Sequence, residues 1–310
     1  MSAHYASIAS VDHPERCEDT TLVYPGDATT APVYVVIDGM GGHQYQTAEG
    51  TLITGREAAQ AVREVLLEDL ARLPHDVSAD PGGMAEQKAI AALTRASHRI
   101  YEYLNGQGER ALTERVGAVA TVVIVCEDGK RLLVAQVGDT RAYVLSGGEF
   151  FQICEDEDNV AYLLQAGLLN DDDAYRITQI LNTFDGVHEP DAPGTVMIRG
   201  QTYDLYIAWR WFWDGNGALG IPGGNIVVNA LGISEDKPMP ETSRMEITAG
   251  DVLLLASDGL YKNLSEAEIT ALLPHEEAAT HLADSAFARS KEAANRRSTP
   301  DDISAMVVRF

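Results

Sequence analysis

Two apolar runs, Val116 to Val125 and Leu132 to Val137, are joined by Glu127-Asp128-Gly129-Lys130, and a third, Ala142 to Leu145, follows Gly138-Asp139-Thr140-Arg141. Links this short restrict the fold. Parallel neighbours need a crossover of about a dozen residues or more, so these runs pair as antiparallel hairpins. The Asp-Gly step is itself a hairpin signal. Three further β-type runs, Val33 to Ile37, Val252 to Ala256 and Ile303 to Val308, are rich in Val, Ile and Leu and bounded by Gly, Asp or Pro.

Helical periodicity marks Ala48 to Leu73, which Pro74 stops, then Met84 to Leu104, Asn159 to Ala166 and His275 to Ala294. Ser265 and Glu268 have capping-box spacing and open another helix, which Pro274 ends. Helices that come in pairs between blocks of hairpins predict an α+β fold of antiparallel sheets covered by helices on their outer faces. Residues 1–310 read as a single domain. One stretch, Asn182 to Gly224, breaks the rhythm. It is Gly- and Pro-rich and contains Trp209-Arg210-Trp211-Phe212-Trp213. It reads as a surface excursion with a small satellite core. Alternation would place the three tryptophans on one face of a strand. Gly215, Gly217, Gly220, Gly223 and Gly224 would be the hinges of a lid or docking surface.

The chain carries 47 acidic residues against 23 basic ones, a formal net charge of -24. Such a surface repels nucleic acid and anionic membranes, so neither is expected as a partner. If the chain handles phosphate, metal ions must supply much of the positive charge. Cys17, Cys126 and Cys154 are odd in number and form no C-x-x-C pair, which predicts a reduced, cytoplasmic protein. The residues Met1 to Tyr5 have no basic region followed by an apolar stretch, so no signal peptide is expected.

Three aspartates stand at strand ends. Asp38 closes Val35-Val36-Ile37, Asp258 follows Leu254-Leu255-Ala256-Ser257, and Asp301 precedes the last run. Each of the first two is followed by glycine, which lets carbonyls or waters approach closely. One Asp-Gly alone is usually a turn. Three strand-end aspartates together, each tied to an apolar strand, indicate oxygen-only ligation of Mg²⁺ or Mn²⁺. Asp156-Glu157-Asp158-Asn159-Val160 fits the D-x-D-x-[TV] nucleophile motif of haloacid dehalogenase-type phosphatases, but it follows Phe150 to Cys154 in a hairpin region. It reads instead as an acidic loop capping the helix that begins near Asn159. No cysteine has arginine six residues on, and no P-loop motif is present.

The run Val36-Ile37-Asp38-Gly39-Met40-Gly41-Gly42-His43 resembles the D-G-[HM]-G-G signature of the type 2C, or PPM, phosphatases. Val134 to Arg141 resembles their A-N-V-G-D-S-R block, Leu254 to Leu260 the L-x-x-S-D-G-L block, Pro300 to Ser304 the terminal D-N-I-T block, and Glu18-Asp19 the N-terminal E-D step, all in the family's order. The resemblance implies a four-layer α-β-β-α sandwich with two central antiparallel sheets, and a flap in about residues 182–224. It also implies a serine/threonine protein phosphatase in which water shared by two metals attacks phosphorus in line. Asp38 would bridge those metals, with the Gly39 carbonyl on one and Asp258 and Asp301 completing the other. Asp139 and Asp258 would hold a third, weaker ion, and Asp19 and Glu18 would orient metal-bound waters. The implied partners are phosphorylated proteins that a serine/threonine kinase has modified. The sequence departs from the family where Pro14 replaces its phosphate-gripping arginine, leaving Arg16 as the nearest substitute or as a surface residue. Asp302 stands where Asn is usual, and Met40 is the bacterial variant of a position often histidine. The rival function is a catalytically weak phosphatase-fold module that binds phosphoproteins or regulates a partner.

Overall fold

Alternate residues of the apolar runs face opposite ways, and both faces are buried. In β3 (Val33–Gly39), Val33, Val35 and Ile37 turn to one side and Tyr34 and Val36 to the other, all at most 3% exposed. That pattern demands cover on both faces of a sheet. The computed structural model describes residues 1–310 except 128, 186, 189, 215, 217–226, 228 and 237. Two five-stranded antiparallel sheets carry the core. One runs in the order β1 (Ser2–Ile8), β14 (Ile303–Arg309), β13 (Val252–Ala256), β8 (Arg141–Ser146), β9 (Glu149–Gln152). The other runs β12 (Glu241–Glu246), β7 (Arg131–Val137), β6 (Ala118–Cys126), β3, β2 (Thr20–Tyr24).

Three apolar layers join the parts. Tyr34, Val36, Val123 and Val134 meet Val144, Leu253, Leu255 and Met306 between the sheets. On the outer face of the β3 sheet lie α1 (Gly55–Leu70) and α2 (Met84–Arg99), through Val62, Leu66, Ala89 and Leu93. On the other outer face lie α6 (Asp258–Tyr261), α7 (Glu266–Leu272) and α8 (Ala278–Arg289), through Leu260, Ile269, Leu282 and Ala286. The architecture is the expected four-layer α-β-β-α sandwich. The Ser265–Glu268 capping box forms as read.

Several boundaries differ from the sequence reading: the helix read over His275 to Ala294 is Ala278–Arg289, and the one read over Met84 to Leu104 is α-helical only to Arg99. The first helix begins at Gly55, not Ala48, because Thr54 makes a capping box with Glu57 and the residues before it form a small hairpin, β4 (Tyr45–Gln46) with β5 (Leu52–Ile53). The excursion is also longer than Asn182 to Gly224. It includes α3 (Asn159–Gln165), α4 (Asp171–Thr183), the hairpin β10 (Thr195–Ile198)–β11 (Gln201–Asp204) and α5 (Leu205–Asp214). Val160, Leu163, Ile177, Val196, Leu205 and Phe212 form a separate satellite core there. The aromatic run is helical rather than extended, with Leu205, Ala208, Trp209 and Phe212 at i, i+3, i+4 and i+7 turned inward. Trp209 is fully buried and meets Phe184 edge-on at 4.9 Å between centroids. Asp128, the side chain of Trp213 and the five hinge glycines lie outside the described residues. Among the described residues no helix is long and apolar enough to cross a membrane.

Candidate active site

Register places the chemistry-bearing residues along one rim. The end of β3 pairs Asp38 with Val119 and Gly39 with Ala118. β6 pairs Ala120 with Val137, so Gly138-Asp139-Thr140 leaves the same end and crosses to the other sheet, where Arg141 lies opposite Ala256. Ala256 lies opposite Ala305, which brings Ser257-Asp258 beside Asp301-Asp302. Ile8 pairs with Ile303 and Thr20 with Ile37, so residues 9–19, with Glu18 and Asp19, run along that rim too. Close approach is built in. A Cβ on Gly39 would sit 2.3 Å from the Gly55 carbonyl oxygen, and one on Gly259 would sit 2.0 Å from that of Asp302.

The carboxylates share one field. Burial raises Asp38 well above the ordinary range, and Asp19, Asp258, Asp301 and Asp139 raise it further. Burial and then Asp302 push Asp19 up to about 8. Burial and then Asp258 push Asp301 up to about 8. Asp139 rises to about 7, again first through burial, with Lys262 opposing. Both carboxylate oxygens of Asp19 and Oδ1 of Asp258 are buried without a hydrogen-bond partner. A buried acceptor left empty is costly, and several together make a site of negative potential. Among the described residues no three such side chains close into a ready-made chelate. The donor chemistry, all oxygen with orphaned acceptors, nevertheless fits a hard divalent cation.

Asp302 does other work. Its Oδ1 accepts from the Ser10 amide and its Oδ2 from the Glu18 amide, both at 2.6 Å, which ties the loop carrying Glu18-Asp19 to the start of β14. Arg16 Nε lies 3.0 Å from Glu18 Oε1, so its guanidinium borders this loop. Burial raises the carboxyl of Glu18, with Thr54 and Arg16 opposing. His43 is turned to the Arg115 carbonyl at 3.0 Å. Asp158 caps α3 by accepting from the amides of Val160 and Ala161, as read from sequence. Asp156 pairs with Arg141, whose Nε lies 2.8 Å from its Oδ2.

A cavity of about 320 Å³ adjoins the rim. Asp139, Arg141, Lys262 and Arg297 come from the body of the fold, and Asn182 and Phe212 from the excursion. The sequence reading missed Lys262. Its Nζ lies 2.5 Å from Asp258 Oδ2 and 3.9 Å from Asp139 Oδ2. Burial alone would lower its pKa, but Asp258 and Asp139 outweigh this and hold it above the ordinary range. The Asp258/Lys262 spacing of i, i+4 was the available signal.

The protein phosphatase 2C family model matches residues 11–298. The serine/threonine protein phosphatase PstP of Mycobacterium tuberculosis is 27% identical over 195 residues, covering 62% of this chain and 33% of that protein. The chain thus spans about a third of the length of that relative. The serine/threonine phosphatase stp of Listeria innocua is 24% identical over 89% of this chain and 84% of its own. Among solved structures, Stp1 of Staphylococcus aureus superposes with a TM-score of 0.67 at 19% identity, covering 100% of this chain and 95% of its own. The catalytic domain of PstP with two manganese ions does so at 0.58 and 22%, covering 99% and 96%. With the family model spanning nearly all of a chain whose fold and rim motifs agree with it, this chain belongs to the protein phosphatase 2C family.

Proposed function

We propose that the chain is a metal-dependent serine/threonine protein phosphatase that hydrolyses phosphoserine and phosphothreonine in proteins, with Asp38, Gly39, Asp258, Asp301 and Asp19 around its divalent cations and Asp139 at the family's third, weaker cation position. The observation that carries this is the buried carboxylate rim with orphaned oxygens on Asp19 and Asp258. Bound there, Mn²⁺ or Mg²⁺ would supply the positive charge that draws in phosphoryl oxygens and acidifies water. The chain's own groups hold and orient. Asp302 fixes the Glu18-Asp19 loop by two amide hydrogen bonds. Tyr261 donates to the Asp139 carbonyl at 2.9 Å and steadies the crossover between the sheets. The excursion walls the cavity beside Asp139 through Asn182 and Phe212, the position of a lid or docking surface for a phosphoprotein.

Phosphate release from a phosphothreonine peptide should require added Mn²⁺ or Mg²⁺ and stop with chelator; turnover that continues in metal-free buffer defeats the reading. Absence of turnover with metal present would leave a binding module. Arg16 is the guanidinium nearest the Glu18-Asp19 step, and it serves as the phosphate grip despite its shifted position. Arg16→Ala should raise KM roughly tenfold with kcat little changed, since it removes ground-state binding through a charge-assisted hydrogen bond. Unchanged kinetics would make Arg16 a partner of Glu18 only.

A further inference from the structure

Asp139 and Asp258 are the two residues that the family resemblance assigns to a third, weaker cation, and a side chain of this protein already lies between them. Lys262 stands one turn after Asp258 in the chain, its amide donating to the Asp258 carbonyl at 2.9 Å. Its ammonium Nζ is 2.5 Å from Asp258 Oδ2 and 3.9 Å from Asp139 Oδ2. The side chain is 16% exposed, so its charge is held in surroundings where water screens it weakly. Asp139 Oδ2 also faces the Tyr261 hydroxyl at 3.3 Å. The Oδ2 atoms of both aspartates thus face side-chain donors, whereas Asp258 Oδ1 and both Asp19 oxygens have no hydrogen-bond partner. Asp258 is divided: one oxygen faces the lysine, and the other is buried without a hydrogen-bond partner.

We propose that Lys262 is a resident cation filling the position between Asp139 and Asp258, so that the chain takes two divalent ions and excludes a third. This rests on the reading of the rim as a divalent-cation centre. A fixed ammonium repels an incoming divalent ion, and it occupies the carboxylate oxygens without needing metal from solution. The charge at this position then stays constant as free metal varies.

Equilibrium binding of Mn²⁺, counted from the electron paramagnetic resonance signal of the free ion, tests this on the full chain. The wild type should bind about two ions per chain. Lys262→Met keeps side-chain length and removes the charge, and should bind a third, weaker ion; Lys262→Arg should remain at two. The metal-free Lys262→Met protein should also melt at lower temperature than wild type and gain more from saturating Mn²⁺, because Asp139 and Asp258 lose their counter-charge. Three ions on the wild type, or two on both wild type and Lys262→Met with a cooperative melt retained, would overturn the proposal. No binding to any of the proteins would overturn the cation centre itself, a different failure from an unchanged count of two.

Discussion

Asp38→Asn should abolish most metal-dependent phosphatase activity, a loss of at least about a hundredfold, since even partners outside the coordination sphere commonly cost that much. Asp258→Asn should do the same. Both variants should remain folded, and Asp38→Asn should make the metal-free protein more stable. The reason is mutual repulsion. Asp38 is raised by burial and by four neighbouring carboxylates, so replacing it with a neutral amide relieves the cluster. The same logic gives a pH dependence. Asp19 and Asp301 are raised from 3.8 to about 8 and Asp139 to about 7. A raised folded-state value means the folded chain keeps protons that the unfolded chain has released. That contribution is complete below 3.8 and is lost as pH climbs through about 7 to 8. Metal-free protein should therefore lose melting temperature between about pH 4 and pH 8, and Asp38→Asn should shrink the loss. Melting curves across that window, with and without Mn²⁺, check the sign. A fall equally steep in the variant would mean that the rim carboxylates do not interact as described.

Arg297→Ala should be among the most destabilising single changes outside the apolar core, by roughly 3–5 kcal/mol, since each buried carbonyl left unpaired costs about 1–3 kcal/mol. Arg297 is 2% exposed. Its Nη1 donates to the carbonyls of Leu181 at 3.0 Å and Phe184 at 2.6 Å, and its Nη2 to those of Tyr261 at 2.7 Å and Leu264 at 3.1 Å. The first two acceptors belong to the end of α4, the second two to the segment after Asp258. One guanidinium thus fastens the excursion to the body. Its removal strands four carbonyls. Urea denaturation should show the loss, and limited proteolysis should cut within residues 159–214 before the rest unfolds. Arg297→Lys should rescue little, because an ammonium cannot reproduce the planar fork. Wild-type resistance in Arg297→Ala would show that the apolar contacts alone hold the excursion in place.

How much of this was legible in the sequence follows from where each strand sits. The six strands read from apolar runs, those at Val33, Ala118, Arg131, Arg141, Val252 and Ile303, are the interior strands of the two sheets. The strands of these two sheets that were not read, β1, β9, β2 and β12, are their four edges, and the small hairpins β4–β5 and β10–β11 were not read either. Interior strands are covered on both faces and keep an unbroken apolar signal. Edge strands such as Glu241–Glu246 and Ser2–Ile8 are partly exposed and accept polar residues. Asp38, Asp258 and Asp301 were legible because each stands at an end of an interior strand, whereas Asp139 and Asp19 were reached only through the family resemblance. Lys262 was not, since its meaning depends on Asp139, which is 123 residues away in sequence and reaches it only across the β7–β8 crossover. The aromatic run misled because Trp-x-Trp-x-Trp alternates, while the inward set at Leu205, Ala208, Trp209 and Phe212 has helical spacing. The extra acid at Asp302 gave no hint that it would fix a loop by two amides.

The place of β14 between β1 and β13 has a consequence for how the chain is made. Among the described residues Ser2–Ile8 pairs with no strand except Ile303–Arg309, with Ser7 bonded to Ser304 across 297 residues. At translation rates of about 5–20 residues per second, the first strand waits roughly 15–60 s for its partner to leave the ribosome. Late in that interval, once Ala256 has been made, β13 has β8 on one side and an open edge on the other, while the helices meant to cover this sheet have no complete surface to dock on. The β3 sheet, all of whose strands are finished by Glu246, can assemble during synthesis. The two halves of the sandwich thus mature at different times, and the set of rim aspartates is complete only when the last strand slots in.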